Sequence, residues 1–150
     1  MNINKLSIIN GILLFILAGV ITASAIYLTP LKHLNVLEPT IDDIKPAEFY
    51  ERYKANPDQY VLLDVRGTGS YNRLHAAGSE SQPLHTLYTE RLFLPKNTDK
   101  TIVFICSGGV ASGVAYHYLE HHGFLNVQRI EGGIEAWELA GLPTESTTTN

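Results

Sequence analysis

The sequence holds one cysteine, Cys106, in a run whose residue types suit nucleophilic chemistry. Ile105-Cys106-Ser107-Gly108-Gly109-Val110-Ala111-Ser112-Gly113 leads from an apolar strand-like segment into a helix-like one. Glycines there let the backbone turn sharply and point several N–H groups inward, forming a nest for an anion. A helix start adds roughly half a positive charge, and both features favour the charged form of a thiol. The pattern predicts a nucleophilic Cys106 at the floor of an oxyanion-sized cradle built from Ser107, Gly108, Gly109, Val110, Ala111 and Ser112. The plain alternative is a strand-end cysteine packed as a small hydrophobe. A single cysteine closes no intramolecular disulfide and supplies no four-cysteine metal centre.

Positioning such a loop requires a scaffold, and the flanking segments describe one. Val61–Val65 and Thr101–Ile105 are short apolar runs suited to strands buried on both faces. A helix is expected from Pro46, with Phe49 and Tyr53 one turn apart, ending at Asn56-Pro57-Asp58. A second, Ser112–His122, carries Val114, Ala115, Tyr118 and Leu119 on one face, with Gly123 as its C-cap. Val127–Ile130 reads as a third strand, and Gly133–Ala140 as a last helix around Trp137, taken as a core residue. Strands alternating with helices imply right-handed crossovers and an α/β fold whose parallel sheet is flanked by helices. Ligands in such folds bind beyond the carboxyl ends of the strands. That rule points to Asp64–Gly67 and Cys106–Ser112.

The whole chain has 150 residues, 45% hydrophobic and 17% charged, with a net charge of −4. These values exclude intrinsic disorder, coiled coil, collagen and a multi-pass membrane protein. No basic stripe exists, so a nucleic-acid partner is not expected. The mean hydropathy of +0.01 averages two unlike parts. Leu6–Leu31 contains no charge, and Leu6–Leu28 as a helix would measure about 35 Å, enough for a bilayer core of roughly 30 Å. Residues 1–29 are therefore expected to be one N-terminal hydrophobic helix, a transmembrane anchor or a signal peptide. Ala23-Ser24-Ala25 has the small-x-small form of a cleavage site, whereas the apolar run continues through Ile26-Tyr27-Leu28, which favours an uncleaved anchor. Lys5 on the cytoplasmic side would place the following domain outside the cytoplasm, in a periplasm or at a cell surface. Residues 30–39 read as a linker, 40–143 as the globular domain and 144–150 as a frayed polar tail.

Six short motifs of the domain resemble the single-domain rhodanese family of sulfurtransferases. They are Leu63-Asp64-Val65-Arg66, His75-Ala76-Ala77-Gly78, the Cys106–Ser112 loop, Gly123-Phe124 with Asn126-Val127, Glu131-Gly132-Gly133-Ile134 with Ala136-Trp137, and Ala140-Gly141-Leu142-Pro143. Each is weak alone, but their order and spacing match the family over about two-thirds of the chain. The resemblance implies that Cys106 takes sulfane sulfur from a small donor such as thiosulfate, becomes a persulfide, and yields it to cyanide or a thiol. It implies no cofactor and no metal. Gly109 and Ser112 match the loop's glycine and closing serine, and Asp64 and Arg66 a strand-end pair beside the loop, with a buried structural pair as the alternative role. His75 matches a histidine–glycine turn, where a structural hydrogen bond is the expected role.

Two departures bear on activity. Many loops of this family read C-R-x-G-x-R-S, whereas here both arginine positions are small, Ser107 and Ala111. Anion binding would then fall to backbone N–H groups, which weakens the case for thiosulfate and leaves a non-catalytic docking module as the rival reading. Glu80-Ser81-Gln82 replaces an apolar strand and implies a polar edge strand or a loop. A cysteine phosphatase would need an arginine six residues after the cysteine, where Ser112 stands. His117, His121 and His122 with Glu120 have metal-like spacing but read as a solvated helix face.

Overall fold

The computed structural model describes residues 5–28 and 41–147. The chain divides into two units, Met1–Thr40 and Ile41–Asn150. In the first, Lys5–Leu28 form one helix, α1. Its described large apolar side chains are all exposed, from 50% at Ile8 to 82% at Phe15. Among the described residues no helix is long and apolar enough to cross a membrane. The expected anchor or signal segment thus finds no support in the fold. The side chains of Ala23 and Ala25, and the expected linker 30–39, lie outside the described residues.

The second unit has the expected α/β architecture. Strands β1 (Asp43–Ile44), β2 (Tyr60–Asp64), β4 (Glu80–Ser81), β5 (Thr101–Ile105) and β6 (Val127–Ile130) form a five-stranded parallel sheet in the order β1-β6-β5-β2-β4. A two-stranded antiparallel ribbon joins β3 (His75–Ala76) to β7 (Thr144–Glu145). Helices α2 (Pro46–Ala55), α3 (Thr68–Arg73), α4 (Leu84–Glu90), α5 (Val110–His121) and α6 (Gly133–Leu139) complete it. Strand alternation divides the core into two clusters. Leu63, Ile102, Phe104 and Cys106 pack with Leu87 of α4 and Ala115 and Leu119 of α5. Leu62, Val103 and Ile105 point the other way, onto Phe49 of α2 and Ile134 and Trp137 of α6. Cys106 thus continues the α5-facing row of β5, which the two-residue strand period requires.

Trp137 is fully buried, and its indole N–H donates to the Pro143 carbonyl at 2.9 Å. The segment 144–147 corrects the expected frayed tail. Glu145 and Thr144 pair with His75 and Ala76, and the Thr147 N–H donates to the Asn72 carbonyl at 3.0 Å. Glu80–Ser81 is the polar edge strand, paired in parallel with Leu63–Asp64 and exposed. The Ser112–His122 helix also differs. It starts at Val110, its buried face is Ser112, Gly113, Ala115, Tyr116 and Leu119, and Val114 is 48% exposed.

Candidate active site

The topology itself selects a place for the site. β2 and β5 lie side by side, with Asp64 in register with Ile105. The chain leaves β2 toward β4 on one side and leaves β5 toward β6 on the other. Such a reversal opens a crevice at the carboxyl ends of the two strands. Both expected segments, Asp64–Gly67 and Cys106–Ser112, fall there.

Cys106 is 3% exposed and stands one residue beyond β5. Gly109 turns the chain with φ of 104°, a conformation that favours glycine, and caps α5. This turn brings the Gly109 N–H back to donate to Cys106 Sγ at 3.1 Å. Ser112, fully buried in the first turn of α5, places its Oγ 3.3 Å from the sulfur and donates to the Gly109 carbonyl at 3.0 Å. Its hydroxyl accepts from the thiol in this arrangement, and rotation of the O–H turns it into a donor to a thiolate. The sulfur thus has one fixed donor and one adjustable one.

Two further supports come from α6 and β6. The first N–H groups of α6 hold the loop's outer face: Ile134 N–H donates to the Cys106 carbonyl at 2.7 Å and Glu135 N–H to the Ser107 carbonyl at 3.2 Å. Gly133 makes this approach possible, because a Cβ there would lie 2.6 Å from the Ser107 oxygen and closer still to the Cys106 oxygen. From β6, Arg129 reaches under the loop and donates to the Gly109 carbonyl at 3.0 Å. Its remaining nitrogens bind both carboxylate oxygens of Asp43 at 2.6 Å. These hydrogen bonds hold the guanidinium charged, raised further above its ordinary value. Gly113 leaves the room, since a Cβ there would lie 2.8 Å from Arg129 Nη1. Arg129 was not singled out by sequence reasoning, although a lone charge in the otherwise short strand Val127–Ile130 was its available signal.

The Asp64–Arg66 pair forms the opposite wall. Asp64 is fully buried and accepts from the Arg66 backbone N–H at 3.0 Å, from Nε at 2.9 Å and from Nη2 at 2.6 Å. Nη2 also donates to the Leu74 carbonyl at 2.6 Å. Asp64 thus does not touch the cysteine loop by any of these bonds; it anchors Arg66, which lines the crevice. That crevice has a volume of about 660 Å³ and is bounded by Arg66, Leu84, Cys106, Val110 and Val114 among others. Ser107, Gly108 and Ala111 line it too. Gly109 and Ser112 instead hold the sulfur from within.

His75 lies elsewhere. It is buried, stacks on Tyr71 at 3.8 Å, and its Nδ1–H donates to the Tyr71 carbonyl at 2.8 Å. On α5, His117 faces Glu120 at 3.4 Å and His122 donates from Nδ1 to the Tyr118 carbonyl. Among the described residues no group of three or more histidine, cysteine, aspartate and glutamate side chains is placed to hold a metal ion.

A parallel sheet whose central strand delivers a cysteine into a glycine-rich loop capping the next helix defines an α/β domain with a strand-end cysteine loop. The chain belongs to the rhodanese family: the model of the rhodanese-like domain matches residues 45–140. It is 34% identical over 83 residues to the thiosulfate sulfurtransferase GlpE of Pseudoalteromonas translucida, covering 55% of this chain and 77% of that protein. It is 33% identical to the tRNA uridine(34) hydroxylase of Photorhabdus laumondii, covering 65% of this chain but 30% of that protein. The crystal structure of a rhodanese-related protein from Thermoplasma volcanium superposes with a TM-score of 0.60 at 31% identity, covering 69% of this chain and 97% of the other.

Proposed function

We propose that this protein is a sulfurtransferase that moves sulfane sulfur through a Cys106 persulfide. The observation that carries the reading is the sulfur's setting, with the Gly109 N–H at 3.1 Å and Ser112 Oγ at 3.3 Å on a cysteine that lines an open crevice. A packed core thiol would need neither donor nor crevice. The similarity to a protein named thiosulfate sulfurtransferase supports the same class.

The exchange has two steps joined by a covalent intermediate. The Cys106 thiolate attacks the outer sulfur of the donor, the donor's S–S bond breaks, and its electron pair leaves with the departing anion. With thiosulfate the anion is sulfite. An acceptor thiolate or cyanide then attacks the terminal sulfur, and the Cys106 thiolate leaves. Charge and electrons balance in each step without an external oxidant. Because Cys106 is the chain's sole cysteine, release of the sulfur falls to that external acceptor. Incubation with thiosulfate or polysulfide followed by intact mass measurement tests the reading. The wild type is expected to gain one sulfur atom and Cys106→Ser none. A wild type that gains none from either donor would leave the docking role in its place.

We further propose, from the sequence, a membrane tether in the N-terminal segment, with Lys5 on the cytoplasmic side and the domain outside the cytoplasm. From Ile8 to Ile21 the exposed side chains of α1 are apolar apart from Asn10, and apolar side chains on all faces of a helix are better satisfied in lipid than in water. The charge-free sequence Leu6–Leu31 supports the tether. The full-length protein is expected to stay with membranes through an alkaline carbonate wash, and a chain starting at Thr40 to be released. Recovery of the full-length chain in the wash, with an intact N-terminus, would rule out the tether.

A further inference from the structure

At the end of the sheet opposite Cys106, large apolar side chains stand in water. Residues 91–100 lead into the amino end of β5 and residues 122–126 into that of β6. Leu92, Phe93 and Leu125 in these segments are 77%, 87% and 84% exposed. Single exposed apolar residues are ordinary, but a group of large ones marks a contact surface. The two segments present theirs together: Leu92 lines the same hollow as Phe124, and the Leu125 N–H donates to Asn97 Oδ1 at 2.7 Å. Asn97 Nδ2 donates in turn to the Gly123 carbonyl at 3.0 Å. Asn126 Nδ2 donates to the Pro95 and Lys100 carbonyls at 2.8 and 2.6 Å. The apolar tips therefore stand on a hydrogen-bonded frame.

The charge here is opposite in sign to the chain's net −4. Residues 91–100 and 121–126 hold Arg91, Lys96 and Lys100 against one acid, Asp99. Arg91, Lys96 and His122 line the hollow, about 260 Å³ in volume, together with Leu92, Leu94 and Phe124. Arg91 donates to the Tyr88 carbonyl, and Lys96 Nζ to the His122 carbonyl at 2.7 Å. Neither cation pairs with a carboxylate among the described residues, so both keep donors for an external anion. Protein interfaces exclude lysine from their apolar centre, whereas Lys96 Nζ lies 5.4 Å from the centre of the Phe124 ring. Protruding leucine and phenylalanine mixed with unpaired cations instead suit a bilayer surface, where the former enter the acyl boundary and the latter meet phosphates.

We propose that this end of the domain docks on an anionic phospholipid surface, with Leu92, Phe93 and Leu125 at the acyl boundary and Arg91 and Lys96 on lipid phosphates. The crevice over Cys106 opens at the carboxyl ends of β2 and β5, the far end of the same parallel sheet. A docked domain therefore keeps Cys106 facing the water. None of these residues belongs to the N-terminal segment, so the docking does not depend on the tether.

The test places an indole on the surface of the full-length protein. Phe93→Trp is compared with Thr68→Trp, whose site is exposed at the start of α3, beyond the carboxyl end of β2. Each is mixed with vesicles of phosphatidylcholine carrying brominated acyl chains, with and without phosphatidylglycerol. The buried Trp137 gives both the same background, and the comparison cancels whatever the N-terminal segment does. Phe93→Trp is expected to be quenched several-fold more than Thr68→Trp in the phosphatidylglycerol vesicles, and to lose that excess without phosphatidylglycerol. Adding Lys96→Gln is expected to weaken the binding read at position 93 roughly fivefold, the worth of one cation near an anionic surface. Arg91→Gln gives the same comparison with the Lys96 bond intact, and thermal melts verify that each variant folds. Quenching at position 93 no greater than at position 68, or equal with and without phosphatidylglycerol, overturns the inference. A blue shift at position 93 that grows with protein concentration and brings no quenching assigns the surface to a second copy of the chain, and overturns it as well.

Discussion

Replacing Arg66 by methionine is expected to cost about 3–5 kcal/mol of folding stability, read from urea denaturation, because it strands a buried charge. Asp64 has no exposure, and Arg66 supplies the guanidinium donors to both of its oxygens. Removing those donors leaves the carboxylate with the backbone N–H of position 66 as its remaining hydrogen-bond donor among the described residues. Most of the loss comes from that desolvated charge and not from the favourable worth of the pair. The double variant Asp64→Leu with Arg66→Met is therefore expected to recover most of the stability. A double variant as unstable as the sum of the two single ones would show that the pair is not coupled. Arg66 also ties the Leu74 carbonyl to the crevice wall, so the single variant should lose sulfur transfer even below its unfolding midpoint.

Gly133→Ala is expected to disable the loop. The left-handed backbone at φ of 62° alone costs about 1–2 kcal/mol for an L residue. The added Cβ would also press on backbone, 2.6 Å from the Ser107 oxygen and 2.8 Å from its carbon. Relief requires α6 and the loop to separate, which breaks the bonds from Ile134 and Glu135 N–H to the Cys106 and Ser107 carbonyls. Gly141→Ala supplies the comparison: it has φ of 66° and nothing within 4 Å of an added Cβ. Both variants pay the conformational cost, and Gly133→Ala alone pays the clash. Denaturation midpoints and the rate of sulfur uptake measure the difference. Equal losses in both variants would show that the contact between α6 and the loop does not hold Cys106 in place.

Much of the architecture was legible because it rests on short-range pattern. Val61–Leu63 and Thr101–Ile105 have apolar residues on both faces, which only a strand between two helical layers can bury. Pro46 and Asn56 bracket α2 as read. The helices that escaped notice are short. The segment Thr68–Arg73 has no apolar period at all and is held from outside, by the Arg66 bond to Leu74 and the stacking of Tyr71 on His75. The helix Leu84–Glu90 did carry a signal in Pro83 followed by Leu84 and Leu87, overlooked beside the polar Glu80-Ser81-Gln82. The face of α5 was misassigned at Val114 because helical spacing groups it with Ala115 and Tyr118, while the crevice leaves it uncovered.

The sequence by itself determined the fold class, the family and the loop around Cys106. Each depends on what neighbouring residues do: apolar residues at strand period, glycines where the chain must turn, a helix start after a thiol. What holds that loop was decided only by the tertiary structure. Arg129 and Asp43 are separated by 86 positions and meet because β6 pairs in parallel with β1 at Asp43 and Arg129. Gly133 touches the Cys106 carbonyl because α6 begins beneath the end of β5. The loop arginines missing at Ser107 and Ala111 were visible in the chain, but the guanidinium beneath the loop was not. Local pattern specifies which backbone can form, whereas sheet register and layer packing specify which distant side chains come within hydrogen-bond reach.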